Sequence, residues 1–100
     1  MAVTSQLTED GVLTISITSR FDITTYKEFS DAYKDKLDST SKWVIDLAEV
    51  EYLDSSALGM LLMLRERSGG NSATIDIVNC STAVQKILKT VNFDRLFNIQ

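Results

Sequence analysis

Two adjacent hydroxyls follow a carboxylate at Asp54-Ser55-Ser56, between the apolar, strand-like run Trp43-Val44-Ile45-Asp46-Leu47 and an apolar, helix-like run that continues from Ala57. Where a strand hands over to a helix, the first backbone N–H groups of the helix lack intrahelical acceptors, and together with the helix dipole they suit a phosphate. The position suits Ser55 as a switch residue in a binding module and not as a catalytic nucleophile. Nucleophilic catalysis needs an activating base, and the chain has no histidine, which removes a Ser-His-Asp hydrolase. Cys80 is the only cysteine, so an intrachain disulfide and a thiolate metal cage are both excluded. Neither a phosphate-binding glycine loop nor a dinucleotide fingerprint occurs. No cofactor is expected, and no metal either: Asp22 and Asp54 lack the clustered spacing of a divalent-cation loop.

Each of these residues also has a plainer reading. A Ser, or Asp54 itself, ahead of an apolar helix is a helix cap, and Asp22 can be a turn-forming residue before a helix. Met60 and Met63, three apart, either pack on a helix face or offer an adaptable docking surface. Trp43 and Cys80 read as packing residues, and the lone thiol has no basic neighbour in sequence to activate it.

The elements that must hold these side chains follow from periodicity. Val3 to Leu7 reads as a short edge strand, Asp10-Gly11 as a hairpin turn, and Leu13, Ile15 and Ile17 alternate with polar residues as a one-sided strand. Thr24 or Thr25 can cap a helix that carries Tyr26, Phe29, Tyr33 and Leu37 on one face. Trp43 to Leu47 is too dense in apolar residues for a one-sided strand and reads as central. Leu58, Leu61, Leu62 and Arg65 continue as a helix that Gly69-Gly70 stops, and Ala73 to Val78 returns as a strand. A strand, helix, strand succession implies a parallel pair. Thr82 with Gln85 fits a capping box ahead of a stripe of Val84, Ile87, Leu88 and Val91, and Phe93, Leu96 and Phe97 read as one last helical turn. The expected fold is α/β, a single domain over residues 1–100, with a mixed four-stranded sheet, helices mainly on one face, and the order β-β-α-β-α-β-α-α.

The balance of charge narrows the partners. Ten basic against fourteen acidic residues give a formal net charge of -4, with the basic ones scattered, so neither nucleic acid nor an anionic membrane is expected. Met1 to Gln6 has no basic start or apolar core of a signal peptide, and no run approaches a bilayer span. A cytoplasmic monomer is the expectation.

The Asp54-Ser55-Ser56-Ala57-Leu58-Gly59 run, Asp22 after the second strand and the tail from Ser81 to Ile99 resemble the STAS domains, and among them the bacterial anti-sigma factor antagonists. The resemblance covers essentially the whole chain. It implies that Ser55 is phosphorylated by a partner serine kinase that doubles as an anti-sigma factor and is reset by a PP2C-type phosphatase. Ser56 is then a hydroxyl neighbour and Asp54 a flanking carboxylate; beyond the resemblance, the exposed surface of the second helix, with Met60, Met63 and Arg67, is expected to complete the partner footprint, and Asp22 is either a turn former or a partner contact. Two positions depart from the family: Ala57 stands where Gly is frequent and firms the helix start by about 1 kcal/mol, and Arg20 reverses a charge beside Asp22. The expected activity is a non-enzymatic switch in which bare protein binds its partner and phosphoprotein does not. Two other readings stay open: a ligand- or nucleotide-sensing module on the same scaffold, or a regulator in a partner-switching pathway without a sigma factor. A phosphotransfer enzyme using Ser55 covalently lacks a visible base.

Overall fold

The computed structural model describes residues 2–100. The chain begins with an antiparallel hairpin, β1 (Val3–Leu7) and β2 (Val12–Ile17). Its turn closes through the Gly11 N–H donating to the Thr8 carbonyl at 3.1 Å. Gly11 sits at φ +87, and a Cβ there would stand 2.8 Å from Ser41 Oγ, so both the backbone conformation and the space favour glycine. A 3₁₀ turn (Ile23–Thr25) leads into α1 (Tyr26–Tyr33), followed by β3 (Lys42–Asp46) and α2 (Ser55–Arg67). A second 3₁₀ turn (Gly70–Ser72), β4 (Ile75–Val78), α3 (Thr82–Thr90), a third 3₁₀ turn (Phe93–Arg95) and β5 (Asn98–Ile99) complete the described chain.

The strands lie in the order β1-β2-β3-β4-β5, with β2 through β5 mutually parallel. The register stacks like with like. Leu13, Trp43 and Ile75 stand side by side across three strands, as do Ile15, Ile45 and Ile77, and all six are buried. Onto this face the helices deliver Phe29 and Tyr33 from α1, Ala57, Leu61 and Leu64 from α2, and Val84 and Leu88 from α3, all in one hydrophobic cluster. The neighbouring register row, Thr14, Val44 and Asp76, points to the other face because strand side chains alternate. A chain of ring contacts, Phe21 to Phe29 at 5.2 Å, Phe29 to Tyr33 at 5.6 Å and Tyr33 to Trp43 at 6.1 Å, ties α1 to the strand ends. Tilted and edge-to-face pairs of this kind add to the area buried.

Three details differ from the sequence expectation. The sheet has a fifth strand, since Asn98 and Ile99 pair with Asp76 and Ile77, where only a closing helical turn was expected. Phe93 and Phe97, buried and 5.4 Å apart, anchor that turn, and the Asn98 amide donates to Asp76 at 3.0 Å. The cap of α3 is Ser81 instead of Thr82: its hydroxyl accepts from the Val84 N–H at 3.1 Å, while the Gln85 amide donates to the Cys80 carbonyl. Tyr26 is 38% exposed and Val91 42% exposed, so each leaves the buried stripe in which its spacing had placed it. Among the described residues no helix is long and apolar enough to cross a membrane.

Candidate functional site

Two loops at the C-terminal ends of β2 and β3 meet through an isolated parallel bridge between Phe21 and Leu53. Both bridge residues are buried, which fixes the loops, and the next residue on each is an aspartate. The bridge therefore sets Asp22 and Asp54 side by side. Each caps a helical turn. Asp54 has extended backbone, and its Oδ1 accepts from the Ala57 N–H at 2.9 Å. Asp22 accepts from the Thr24 N–H at 2.9 Å and from the Thr24 hydroxyl, and its own N–H donates to Thr25 Oγ1 at 3.3 Å. The bonds from Thr24, reinforced by the Arg20 guanidinium 3.0 Å away, hold the Asp22 carboxyl below the usual carboxylate range.

Because Asp54 supplies the cap, the serine after it is released from that duty. Ser55 is the first residue of α2 and exposed, Ser56 is half-buried, and Ala57 is fully buried. Among the described residues neither serine hydroxyl makes a hydrogen bond within the chain. The Ser55 hydroxyl is presented to solvent at the positive end of a thirteen-residue helix, where the dipole places about half an elementary charge. The Ser-Ser cap expected as the plainer alternative is thus occupied by the carboxylate.

A groove of about 440 Å³ runs between the loops, lined by Ser19, Arg20, Phe21 and Asp22 on one side and Glu49, Val50, Glu51, Tyr52 and Asp54 on the other. Four carboxylates face one guanidinium, so the groove is acidic. Its rim is apolar: Tyr52 is 68% exposed and Ile23 65% exposed. The apolar rim continues over α1 and α2, where the Tyr26 hydroxyl lies 3.8 Å from Met63 Sδ and Leu62 and Met63 are part-exposed.

The helix wheel of α2 decides the two methionines. At about 100° per residue, Ala57, Met60, Leu61 and Leu64 share the face turned to the sheet, and all four are buried. Met60 is 4% exposed, so it is core packing and is not part of the outer surface, contrary to the expectation for it. Met63, Ser55, Gly59 and Arg67 do lie outward. Sequence reasoning missed Ile23, Tyr26, Tyr52 and Leu62 as exposed apolar residues; the signal at hand was Tyr52 standing directly before the motif and Ile23 directly after Asp22. Among the described residues no group of three or more His, Cys, Asp or Glu side chains is placed to hold a metal. Burial pushes the Cys80 thiol up, with Asp46 adding to the shift, which leaves it protonated and unreactive at neutral pH.

Comparison with known proteins adds context to this geometry. A family profile described as "Mlab, STAS domain" matches residues 5–98. A STAS-domain containing protein of Pseudomonas aeruginosa is 48% identical over 100 residues, covering 99% of both chains. The crystal structure of an anti-sigma factor antagonist from Mycobacterium paratuberculosis is 26% identical with a TM-score of 0.78, covering 97% of this chain and 84% of that one. The anti-sigma factor antagonist SpoIIAA in its unphosphorylated form is 12% identical with a TM-score of 0.82, covering 99% of this chain and 88% of that one. SpoIIAA of Bacillus in its phosphorylated form is 11% identical with a TM-score of 0.77, covering 99% and 91%. At that identity SpoIIAA attests the fold alone.

Proposed function

The chain belongs to the STAS domain family, and from that premise we propose that it is a phosphoregulated protein-interaction switch of the anti-sigma factor antagonist kind. Ser55 is the phosphoacceptor, and the bare form binds a serine kinase that acts as an anti-sigma factor. A PP2C-type phosphatase resets the site. The observation that carries the reading is the division of labour at the start of α2: Asp54 holds the cap bond at 2.9 Å, while the exposed Ser55 hydroxyl is left uncommitted.

The switch follows from electrostatics. Phosphorylation adds roughly -1.5 to -2 charges at neutral pH, more than the helix end compensates, beside a groove that already holds Asp22, Glu49, Glu51 and Asp54. A partner seated over a neutral Ser55, on the apolar rim of Ile23, Tyr52 and Met63, then faces a charge it cannot pair. Burying an unpaired ion costs several kcal/mol, so the complex separates. Because the dipole tolerates a phosphate locally, the domain itself stays folded. Ser56 stands one position further into the helix and half-buried, which makes it a supporting hydroxyl and a poorer acceptor. Asp22 keeps its own turn in place and borders the footprint.

Phosphopeptide mapping of the chain isolated from growing host cells tests the acceptor. One phosphate on Ser55, absent from Ser55→Ala, is the expected result. A phosphate mapping to Ser56, or none in any growth phase, rejects the assignment.

A further inference from the structure

We propose that the outer face of α3 is a second docking surface, which takes an acidic amphipathic helix of a partner protein. A shallow trough of about 360 Å³ runs along this helix, lined by Ala83, Lys86, Ile87, Thr90 and Val91. Its floor is apolar: Ile87 is half-buried and Val91 is 42% exposed. The lining positions recur at spacings of three and four along α3, the pattern that one helix presents to a second helix laid into its groove.

Charge selects the occupant. Lys86 lines the trough and is exposed, Lys89 is exposed one step further round the helix, and α3 carries no acidic residue between Thr82 and Thr90. Among the described residues, Arg20, Lys27, Lys34 and Lys42 join ion pairs, and Lys86 and Lys89 are among the six basic residues that do not. Lys89 in the last turn suits the helix dipole, and a single exposed valine is ordinary on any surface. Neither consideration accounts for an apolar trough lined by the unpaired Lys86, with Lys89 beyond it and no carboxylate on the helix, on a chain of net charge -4. That net charge disfavours an anionic membrane as the occupant, while apolar side chains flanked by Glu or Asp match both floor and flank.

The surface is also separate from the switch. Since β4 and β5 are parallel, α3 must carry the chain back along the sheet, so Thr90 and Val91 lie at the end opposite Ser55. A partner held there stays bound in either phosphorylation state, and this proposal stands whether or not Ser55 is the acceptor.

The test is a titration of the isotope-labelled full chain with three synthetic peptides, read by amide chemical shifts. One peptide is an amphipathic helix with Leu on one face and Glu on its flanks, the second carries Lys in place of Glu, and the third is a scramble of the first. The Glu peptide is expected to give saturable shifts centred on the trough, with the Lys peptide weaker by roughly tenfold, the worth of two partly exposed charge pairs. Lys86→Glu with Lys89→Glu reverses that order, Lys86→Gln with Lys89→Gln abolishes it, and Ser55→Asp leaves it unchanged. Equal binding by the Glu and Lys peptides, shifts on another face, or no saturable shifts with the Glu peptide overturns the proposal. So do trough shifts that grow with protein concentration alone, which indicate a second copy, or trough shifts produced by phosphatidylglycerol vesicles in place of the peptide.

Discussion

Replacing Asp54 separates the two things it does at the head of α2. Its Oδ1 accepts one hydrogen bond, from the Ala57 N–H at 2.9 Å, and its negative charge lies against the positive helix end. Asp54→Ala removes both, and loss of a cap of this type costs about 1 to 2 kcal/mol. For a domain near 100 residues that lowers Tm by about 4 to 16 °C. Asp54→Asn keeps the cap, because Asn caps as well as Asp, and gives up only the charge–dipole part, about 0.3 to 1 kcal/mol. Thermal unfolding followed by circular dichroism at low ionic strength, repeated in high salt, resolves the two. Asp54→Asn should fall well short of Asp54→Ala, and its small deficit should shrink as salt screens the dipole. If Asn proves as damaging as Ala, the cap bond is not what Asp54 contributes, and the release of Ser55 from capping loses its physical basis.

Other substitutions reach the packing and the sheet edge. Met60→Ala, at a buried position, should cost about 2 to 5 kcal/mol, whereas Met63→Ala, exposed on the same helix, should change urea stability by about 0.5 kcal/mol or less and instead weaken partner binding. Asp76→Ala should destabilise by about 1.5 to 3 kcal/mol, since it removes the acceptor of the Asn98 amide and the partner of Lys42 at 3.1 Å. Burial alone would raise the Asp76 pKa, but the Asn98 amide and the Lys42 ammonium outweigh it and hold it below the usual carboxylate range. A depressed folded pKa means the contribution is complete above the unfolded value of about 3.9 and is lost as pH falls through the folded one. The stability gap between wild type and Asp76→Ala should therefore be constant near neutrality and narrow below about pH 4, as chemical denaturation across pH will show.

Much of this arrangement was legible because the chain repeats itself at the right period. The alternation of Leu13, Ile15 and Ile17 placed β2 and its buried face, the apolar density of Trp43 to Leu47 marked a central strand, and Asp54 at the junction foretold a cap. What escaped depends on contacts far apart in sequence. β5 is two residues long, too short for any periodicity, and exists because Phe93, Phe97 and Asp76 hold it. The pairing of Phe21 with Leu53 joins residues thirty-two positions apart, so the neighbourhood of Asp22 and Asp54 could not be read from either segment alone. Met60 illustrates the narrow margin in helix α2: with apolar residues almost all around the helix, spacing did not say which of Met60 and Met63 faces the sheet, and only the packing against it did.

The central claim is that a phosphate on Ser55 dissolves the complex that the bare protein forms. Its most direct test is the affinity of the chain for its kinase-type partner, measured by calorimetry with phosphoserine installed at position 55 during synthesis and compared with the unmodified chain. An unpaired buried charge worth several kcal/mol predicts a loss of about a hundredfold or more, with the phosphorylated chain still folded. Equal affinity in the two states would contradict the account.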